Sequence, residues 1–404
     1  MKHLILLYDG MADMPCPALG GKTPMQCARK PLFDAMGRDA EVGLVQTVAK
    51  GLKPGSDVAN LSVLGYDPAQ YYTGRSPLEA VSMGVPLGED DLTLRCNLVT
   101  LSAEEPYAAK TMLDYSGGDI STAEATALLA AVQAELGTAE FQFYPGVAYR
   151  HCLLWKGGRA QIKALGALTP PHDITDQPVA GRLPQTAAAA PLLRMMEKSF
   201  SILQDYTAGH TRRASANSIW LWGEGTRPAL PAFAAAFGKT GSIISAVDLL
   251  KGIGILAGMR TPEVPGATGY IDTNYEGKAQ CAVAEFRDGQ DFVYLHIEAT
   301  DECGHRGEAE NKVRAIELID ERVLPIVLAY LETCGEPFSL LILPDHPTPL
   351  VTRTHTSAPV PYMLYRSAEK GSGKGVATVT EETAAATGNF VAEGPQIIRK
   401  FFGE

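Results

Sequence analysis

The stretch that most constrains the fold is Leu340–His355, LLILPDHPTPLVTRTH, in which an apolar run stops at Pro344 and delivers Asp345, His346 and His355. A short apolar run bounded by a turn former reads as a buried parallel strand. In open α/β sheets the working groups stand just beyond the carboxyl ends of such strands. Two further runs end the same way: Lys2–Tyr8 (KHLILLY) leads into Asp9, and Phe292–Ile297 (FVYLHI) leads to Asp301 and then His305. Strands that all deliver acid or imidazole at one end predict a single site holding Asp9, Asp301, His305, Asp345, His346 and His355.

The pattern around these runs is that of an α/β protein. A helix near Met25–Met36 and a strand at Glu41–Val45 complete a first β-α-β unit after Lys2–Tyr8. The Pro/Gly-rich segment from Gly51 feeds a short helix that stops at Gly65 and places Ser56 at its N-terminus. A serine there commonly caps the helix. It also stands where amide N–H groups and the helix dipole stabilise an alkoxide or a phosphate. From Ser218 onward, Ser218–Trp222, Gly241–Ala246, Val247–Leu256, Phe292–Ile297, Glu310–Leu331 and Phe338–Leu343 read as alternating strands and helices, a mostly parallel sheet flanked by helical crossovers. Val313, Ile316, Ile319, Val323 and Val327 recur at helical spacing, so one face of that helix packs on the sheet, with a kink at Pro325.

The middle block has another texture. Leu92–Leu101 reads as a strand, Ser121–Glu124 as a capping box opening an Ala-rich helix to Leu136, and Gln185–Leu203 as a further helix beyond the Pro-rich loop Thr169–Pro184. Short strands near Glu140–Tyr144 and His151–Trp155 lie between. No apolar run in this block ends in paired Asp and His. At 404 residues the chain exceeds what one hydrophobic core sustains. The expected organisation is therefore a discontinuous core domain, 1–89 and 218–404, with an inserted smaller α+β domain, 90–217, that covers the site.

A formal net charge of -11 argues against non-specific nucleic-acid binding. The apolar runs are strand-sized, short of the roughly 20 residues of a membrane helix, and the first is too short for a signal-peptide core. A cytoplasmic protein is expected. The 7 cysteines are scattered with no C-x-x-C, so neither a disulfide framework nor a zinc knuckle is expected, and Cys303 reads as a packing residue. Carboxylate and imidazole without thiolate suit manganese, zinc, cobalt or magnesium, and two clustered sets suit a pair of ions. Such a pair clamps the attacking and leaving oxygens of an in-line phosphoryl displacement. A serine on a metal can attack as an alkoxide.

The set Asp9, Gly55-Ser56-Asp57, Asp301-x-x-x-His305, Asp345-His346 and His355 resembles the metal and nucleophile pattern of the alkaline phosphatase superfamily. The stretches YDGMAD, GGKTP, PGSDVANLSVLGYDP, YYTGRSPLEA, RCNLVT, WLWGEGTRP, VPGATGYIDTNYEGK and LPDHPTP…RTHTS run almost end to end, and in them the chain is similar to the archaeal-type cofactor-independent phosphoglycerate mutases. The resemblance implies an alkaline-phosphatase-like core and two divalent ions, manganese first. Asp9, Ser56, Asp345 and His346 would hold one ion, and Asp301, His305 and His355 the other. Ser56 would be transiently phosphorylated, and Lys278 would neutralise the transferring phosphoryl group. Arg75 and Arg227, near turn glycines, and Arg95 and Asn97, in the insert, are candidates for holding substrate phosphate or carboxylate.

The implied activity is interconversion of 3-phosphoglycerate and 2-phosphoglycerate, an isomerase step of glycolysis and gluconeogenesis. A small phosphorylated substrate is the expected partner, with no nucleic acid and no membrane. In this reading the substrate enters between the domains, and the insert excludes water that would otherwise hydrolyse phosphoserine. The alternatives are a homoserine kinase-like phosphotransferase, a phosphomonoesterase, and a non-catalytic metal-binding protein, which would have no need of the serine.

Overall fold

The computed structural model describes residues 1–208 and 215–403. In chain order its strands are β1 (Lys2–Tyr8), β2 (Glu41–Val45), β3 (Leu92–Leu101), β4 (Met112–Asp114), β5 (Phe141–Tyr144), β6 (Arg150–Trp155), β7 (Ser218–Thr226), β8 (Gly241–Ile244), β9 (Phe292–Ile297), β10 (Phe338–Leu343), β11 (Val360–Arg366) and β12 (Phe390–Val391). Two compact units divide them: residues 1–72 with 229–404, and residues 73–228.

The first unit is built on a 7-stranded sheet in the order β12-β2-β11-β10-β1-β9-β8. β1 lies between two parallel partners, with Lys2 opposite Phe338 and His3 opposite Phe292, so the carboxyl ends of β1, β9 and β10 stand side by side. Every residue of these three strands is buried. That explains why they read as continuous apolar runs: helices cover both faces of the sheet. Leu4, Leu6, Val293, Leu295, Leu340 and Ile342 share a core with Ile316, Ile319, Val323 and Val327 from the helical face expected to pack there. Each such burial contributes about 1.5–3 kcal/mol.

Several elements depart from the sequence reading. Pro31 splits the helix expected over 25–36 into Pro24–Cys27 and Pro31–Gly37. Pro325 makes a break rather than a kink: Ala309–Arg322 ends, and Leu324–Leu331 begins with the proline in its first turn, where a missing N–H costs nothing. The helix expected from Gln185 starts at Ala190 and runs to Ala208. β11, antiparallel to both neighbours, and the helix Tyr275–Arg287 were not anticipated.

The second unit is an antiparallel sheet around β3, which pairs with β6 along one edge and β7 along the other, with β5 beyond β6 and β4 at the far end of β3. The helices Thr122–Leu136 and Ala190–Ala208 bury Leu128, Leu129, Val132, Leu192 and Met196 against Leu94, Leu98 and Trp220. The unit is longer than the expected 90–217 at both ends. At the front, the helix Ser76–Ser82 packs here and ties Ser76 Oγ to the Thr93 carbonyl at 3.0 Å. At the back, β7 pairs with β3 rather than joining the parallel sheet.

Candidate active site

The aligned ends of β1, β9 and β10 gather the acidic and imidazole side chains. Asp9 follows β1, and its backbone N–H donates to the Ile297 carbonyl at 3.0 Å. Asp345 and His346 follow β10 and are fully buried. Gly10 N–H donates to Asp345 Oδ1 at 3.2 Å across the two strand ends. Asp301 and His305 lie one turn apart on the helix Ala299–Arg306 that leaves β9.

Ligand-type atoms of Asp9, Asp345 and His346 lie within 4.8 Å of one another, and so do those of Asp301, His346 and His355. His305 joins the second group: its Nε2 is 2.8 Å from His355 Nε2 and 3.3 Å from Asp301 Oδ2, while its Nδ1 faces the Arg353 carbonyl at 3.0 Å. Thr348 Oγ1 donates to Asp301 Oδ1 and stands 3.3 Å from His346 Nδ1.

Ser56 is the first residue of the helix Ser56–Val63. Gly55, not Ser56, occupies the cap position, so the hydroxyl is not consumed in capping. Ser56 Oγ lies 3.0 Å from His346 Nε2. Asp57 is turned elsewhere, accepting from Val58 N–H at 2.9 Å and Tyr72 Oη at 2.6 Å.

These residues fit a pair of divalent cations on three observations. Asp9 Oδ1 is buried with no hydrogen-bond partner. The His305 and His355 nitrogens face each other at 2.8 Å, where neutral imidazoles can supply one N–H between them and a shared cation satisfies both. The donors are oxygen and nitrogen, while the Cys303 thiol is pushed up to about 12, first by burial. The electrostatics agree. Burial, then Asp345 and Asp301, push the Asp9 carboxyl well above its ordinary range. Burial lowers His346 and favours its neutral, ligating form. Three carboxylates packed this closely ask for positive charge.

Behind Asp9 stands a buried polar network. His296 Nε2 is 2.8 Å from Asp9 Oδ2, and its Nδ1 faces Ser245 Oγ at 3.0 Å and Glu298 Oε1 at 3.2 Å. Burial opposes charge on His296, but Glu298 and Asp9 outweigh it and push the imidazole up to about 10. Lys278, from the helix Tyr275–Arg287, is fully buried, ion-paired with Glu298, and donates to the His296 carbonyl at 3.1 Å. Lys278 is thus engaged behind the metal-type cluster rather than presented on it. Asn60, one turn after Ser56, donates to the Ser56 carbonyl and to Asp345 Oδ2, each at 2.8 Å, and accepts from Tyr294 Oη at 2.5 Å.

In the second unit, Glu79 receives Arg75 Nε at 2.7 Å and Arg95 Nε at 3.0 Å. The Arg95 guanidinium lies 4.3 Å over the Trp222 ring, and Trp222 Nε1 donates to Asn97 Oδ1 at 2.9 Å. His172 packs edge-on against Trp222 and Tyr115. Arg75, Arg95 and Asn97 therefore share one cluster. Arg227 is exposed and donates to the Leu87 carbonyl at 2.8 Å.

The sequence reading missed Asn60, His296, Glu298 and Thr348. The signal for Asn60 was its spacing from Ser56. The signal for His296 was an imidazole inside an otherwise apolar strand.

Residues 37–208 match the family described as 2,3-bisphosphoglycerate-independent phosphoglycerate mutase. The chain is 50% identical over 398 residues to a probable 2,3-bisphosphoglycerate-independent phosphoglycerate mutase of Geobacter sulfurreducens, covering 98% of each chain. It is 46% identical over 388 residues to the Methanosarcina barkeri 2,3-bisphosphoglycerate-independent phosphoglycerate mutase, covering 95% of each. Among solved structures, the fold resembles that of the cofactor-independent phosphoglycerate mutase of Thermoplasma acidophilum, with a TM-score of 0.66 and 23% identity over 100% of this chain and 99% of that one.

Proposed function

The chain belongs to the 2,3-bisphosphoglycerate-independent phosphoglycerate mutases, and on that premise we propose a division of labour among its residues. The reaction is the interconversion of 3-phosphoglycerate and 2-phosphoglycerate, with a small phosphorylated substrate and divalent metal ions. The observation that carries the reading is the Ser56 hydroxyl, free of capping and 3.0 Å from His346 Nε2 at a helix N-terminus beside Asp9 and Asp345.

Asp9, Ser56, Asp345 and His346 would hold one ion, and Asp301, His305 and His355 the other, with His346 within reach of both. Manganese suits this set, and zinc, cobalt or magnesium would also bind. When bound, the ions lower the pKa of the serine oxygen and offset charge on the phosphoryl oxygens.

Ser56 Oγ attacks phosphorus, the Oγ–P bond forms, and the bond from phosphorus to the glycerate oxygen breaks. That oxygen takes up the proton that Ser56 gave up. Of the N–H groups opening the helix Ser56–Val63, that of Val58 is held by Asp57 Oδ1, and those of Ser56 and Asp57 would favour phosphoryl charge at this end. The other hydroxyl of glycerate takes the phosphoryl group back from phosphoserine and returns its proton to Ser56 Oγ, and Arg75, Arg95 and Asn97 are candidate contacts for a substrate carboxylate. Arg227 is a further candidate contact, and Lys278 supports the centre from behind. Such chemistry suits the cytoplasm, and no described helix is long and apolar enough to cross a membrane.

The test is the manganese-loaded protein in an enolase-coupled assay with 3-phosphoglycerate and no added bisphosphoglycerate. Turnover is expected, together with a phosphorylated peptide containing Ser56 after acid quench. Undiminished turnover by Ser56→Ala would overturn the reading.

A further inference from the structure

We propose that His296 is a positioning residue for Asp9: it holds one carboxylate oxygen and leaves the other to the metal, and the Glu298–Lys278 ion pair behind it fixes the imidazole. This rests on the assignment of Asp9 as a ligand.

The two oxygens of Asp9 have different fates. Oδ2 is 2.8 Å from His296 Nε2, whereas Oδ1, equally buried, has no partner and points toward His346 Nε2 at 3.8 Å. A carboxylate with both oxygens free can swing between one- and two-oxygen coordination. With one oxygen tied it offers a single donor along a fixed direction.

The tie is itself held. His296 sits on β9 opposite Leu7 of β1, and Asp9 follows β1, so the ladder sets the distance between imidazole and carboxylate. The far ring nitrogen meets Ser245 Oγ at 3.0 Å and Glu298 Oε1 at 3.2 Å, which fixes the ring plane. Glu298 is anchored in turn by the Ala246 N–H at 2.6 Å and by Lys278. Lys278 and His296 are fully buried and Glu298 is 4% exposed, so none of these groups can exchange its partner for bulk water. Polar partners behind a metal ligand typically change metal affinity by about 10–100-fold when removed.

The experiment is calorimetric titration of chelator-stripped full-length protein with Mn²⁺, resolving two binding events, on wild type, Asp9→Asn, His296→Gln, Ser245→Ala and Lys278→Met. In His296→Gln one event is expected to weaken by about 10–100-fold while the other is unchanged. Ser245→Ala, a milder change that releases the far side of the ring together with the Ser245 bonds to Glu298 Oε1 and the Val247 N–H, should weaken the same event less, and guards against a His296 variant that fails to fold. Lys278→Met should weaken that event too. If Lys278→Met lost turnover with both events intact, the lysine would be acting on substrate and this chain of support would be refuted. Unchanged Mn²⁺ affinity in folded His296→Gln and in Ser245→Ala, with one event lost in Asp9→Asn, would overturn the proposal alone. Both events intact in Asp9→Asn would overturn the ligand assignment beneath it.

Discussion

Asn60 places its side-chain amide 2.8 Å from Asp345 Oδ2, and the same nitrogen lies 2.8 Å from the Ser56 carbonyl. One fully buried side chain therefore registers the nucleophile's helix against the end of β10. A hydrogen bond to a charged group contributes about 1.5–3 kcal/mol. Asn60→Leu should lower kcat by roughly tenfold or more with a smaller change in KM, measured in the coupled assay. Unchanged kcat would mean the helix is registered by packing alone.

Lys312 and Asp13 form an ion pair at 2.8 Å with both side chains at 0% exposure. Lys312 also donates to the Thr348 carbonyl at 2.8 Å, and Asp13 accepts from the Met14 and Leu350 N–H groups. The pair braces the loop that carries Thr348, the donor to Asp301. Lys312→Met leaves a buried carboxylate uncompensated and should cost about 3–5 kcal/mol in guanidinium unfolding. Adding Asp13→Asn should restore part of that loss. A double variant no more stable than the single one would show that the pair is not coupled.

Gly10 has φ of +61°, and a Cβ there would stand 2.5 Å from Asp301 Oδ1 and 2.8 Å from Asp301 Cα. Gly10→Ala should therefore add displacement of Asp301 to a left-handed backbone cost of about 1–2 kcal/mol. Gly20, with φ of +65° and nothing within 4 Å of its Cβ position, supplies the control. Gly20→Ala should lose stability with Mn²⁺ binding intact, whereas Gly10→Ala should lose Mn²⁺ binding. Equal effects on binding would rule out the contact as the cause.

Two histidines away from the centre set an acid limit on stability. Burial, then Lys239 and the N-terminus, push His3 down to about 4, and burial pushes His151 down to about 4. Unfolded, both return to about 6.5. Between those values the unfolded chain binds protons that the native chain does not. Stability is thus full above pH 6.5 and falls as pH drops toward 4, by up to about 1.4 kcal/mol per pH unit for each histidine. Urea unfolding of His151→Gln across this window should show a shallower fall than wild type. Parallel curves would count against His151.

Much of the frame was legible because its central strands are buried on both faces. β1, β9 and β10 have no polar face to interrupt their apolar runs, and the residues just past them are the ones the sheet aligns. β11 was hidden by Pro361 and by following a loop rich in Thr and Pro. The helix Tyr275–Arg287 was hidden because its inward side carries Lys278 and Glu285, charges that interrupt the apolar helical period. His296 stood out only as an imidazole within an apolar strand, and the register opposite Leu7 is what brings it to Asp9.

β1 owes its neighbours to the far end of the chain: its partners begin at Phe292 and Phe338. At about 5–20 residues per second, a ribosome needs roughly a quarter of a minute to a minute to make β10 after β1 has emerged. Until β9 is made the first strand synthesised is an apolar ribbon with both edges open, and until β10 is made one edge stays open, a binding site for chaperones and a liability in their absence. Ribosome-stalled chains ending before residue 338 should be cut by protease near their N-termini, and those carried past residue 366 should resist. A message truncated upstream of β10 therefore yields no weaker enzyme, only a degradation substrate.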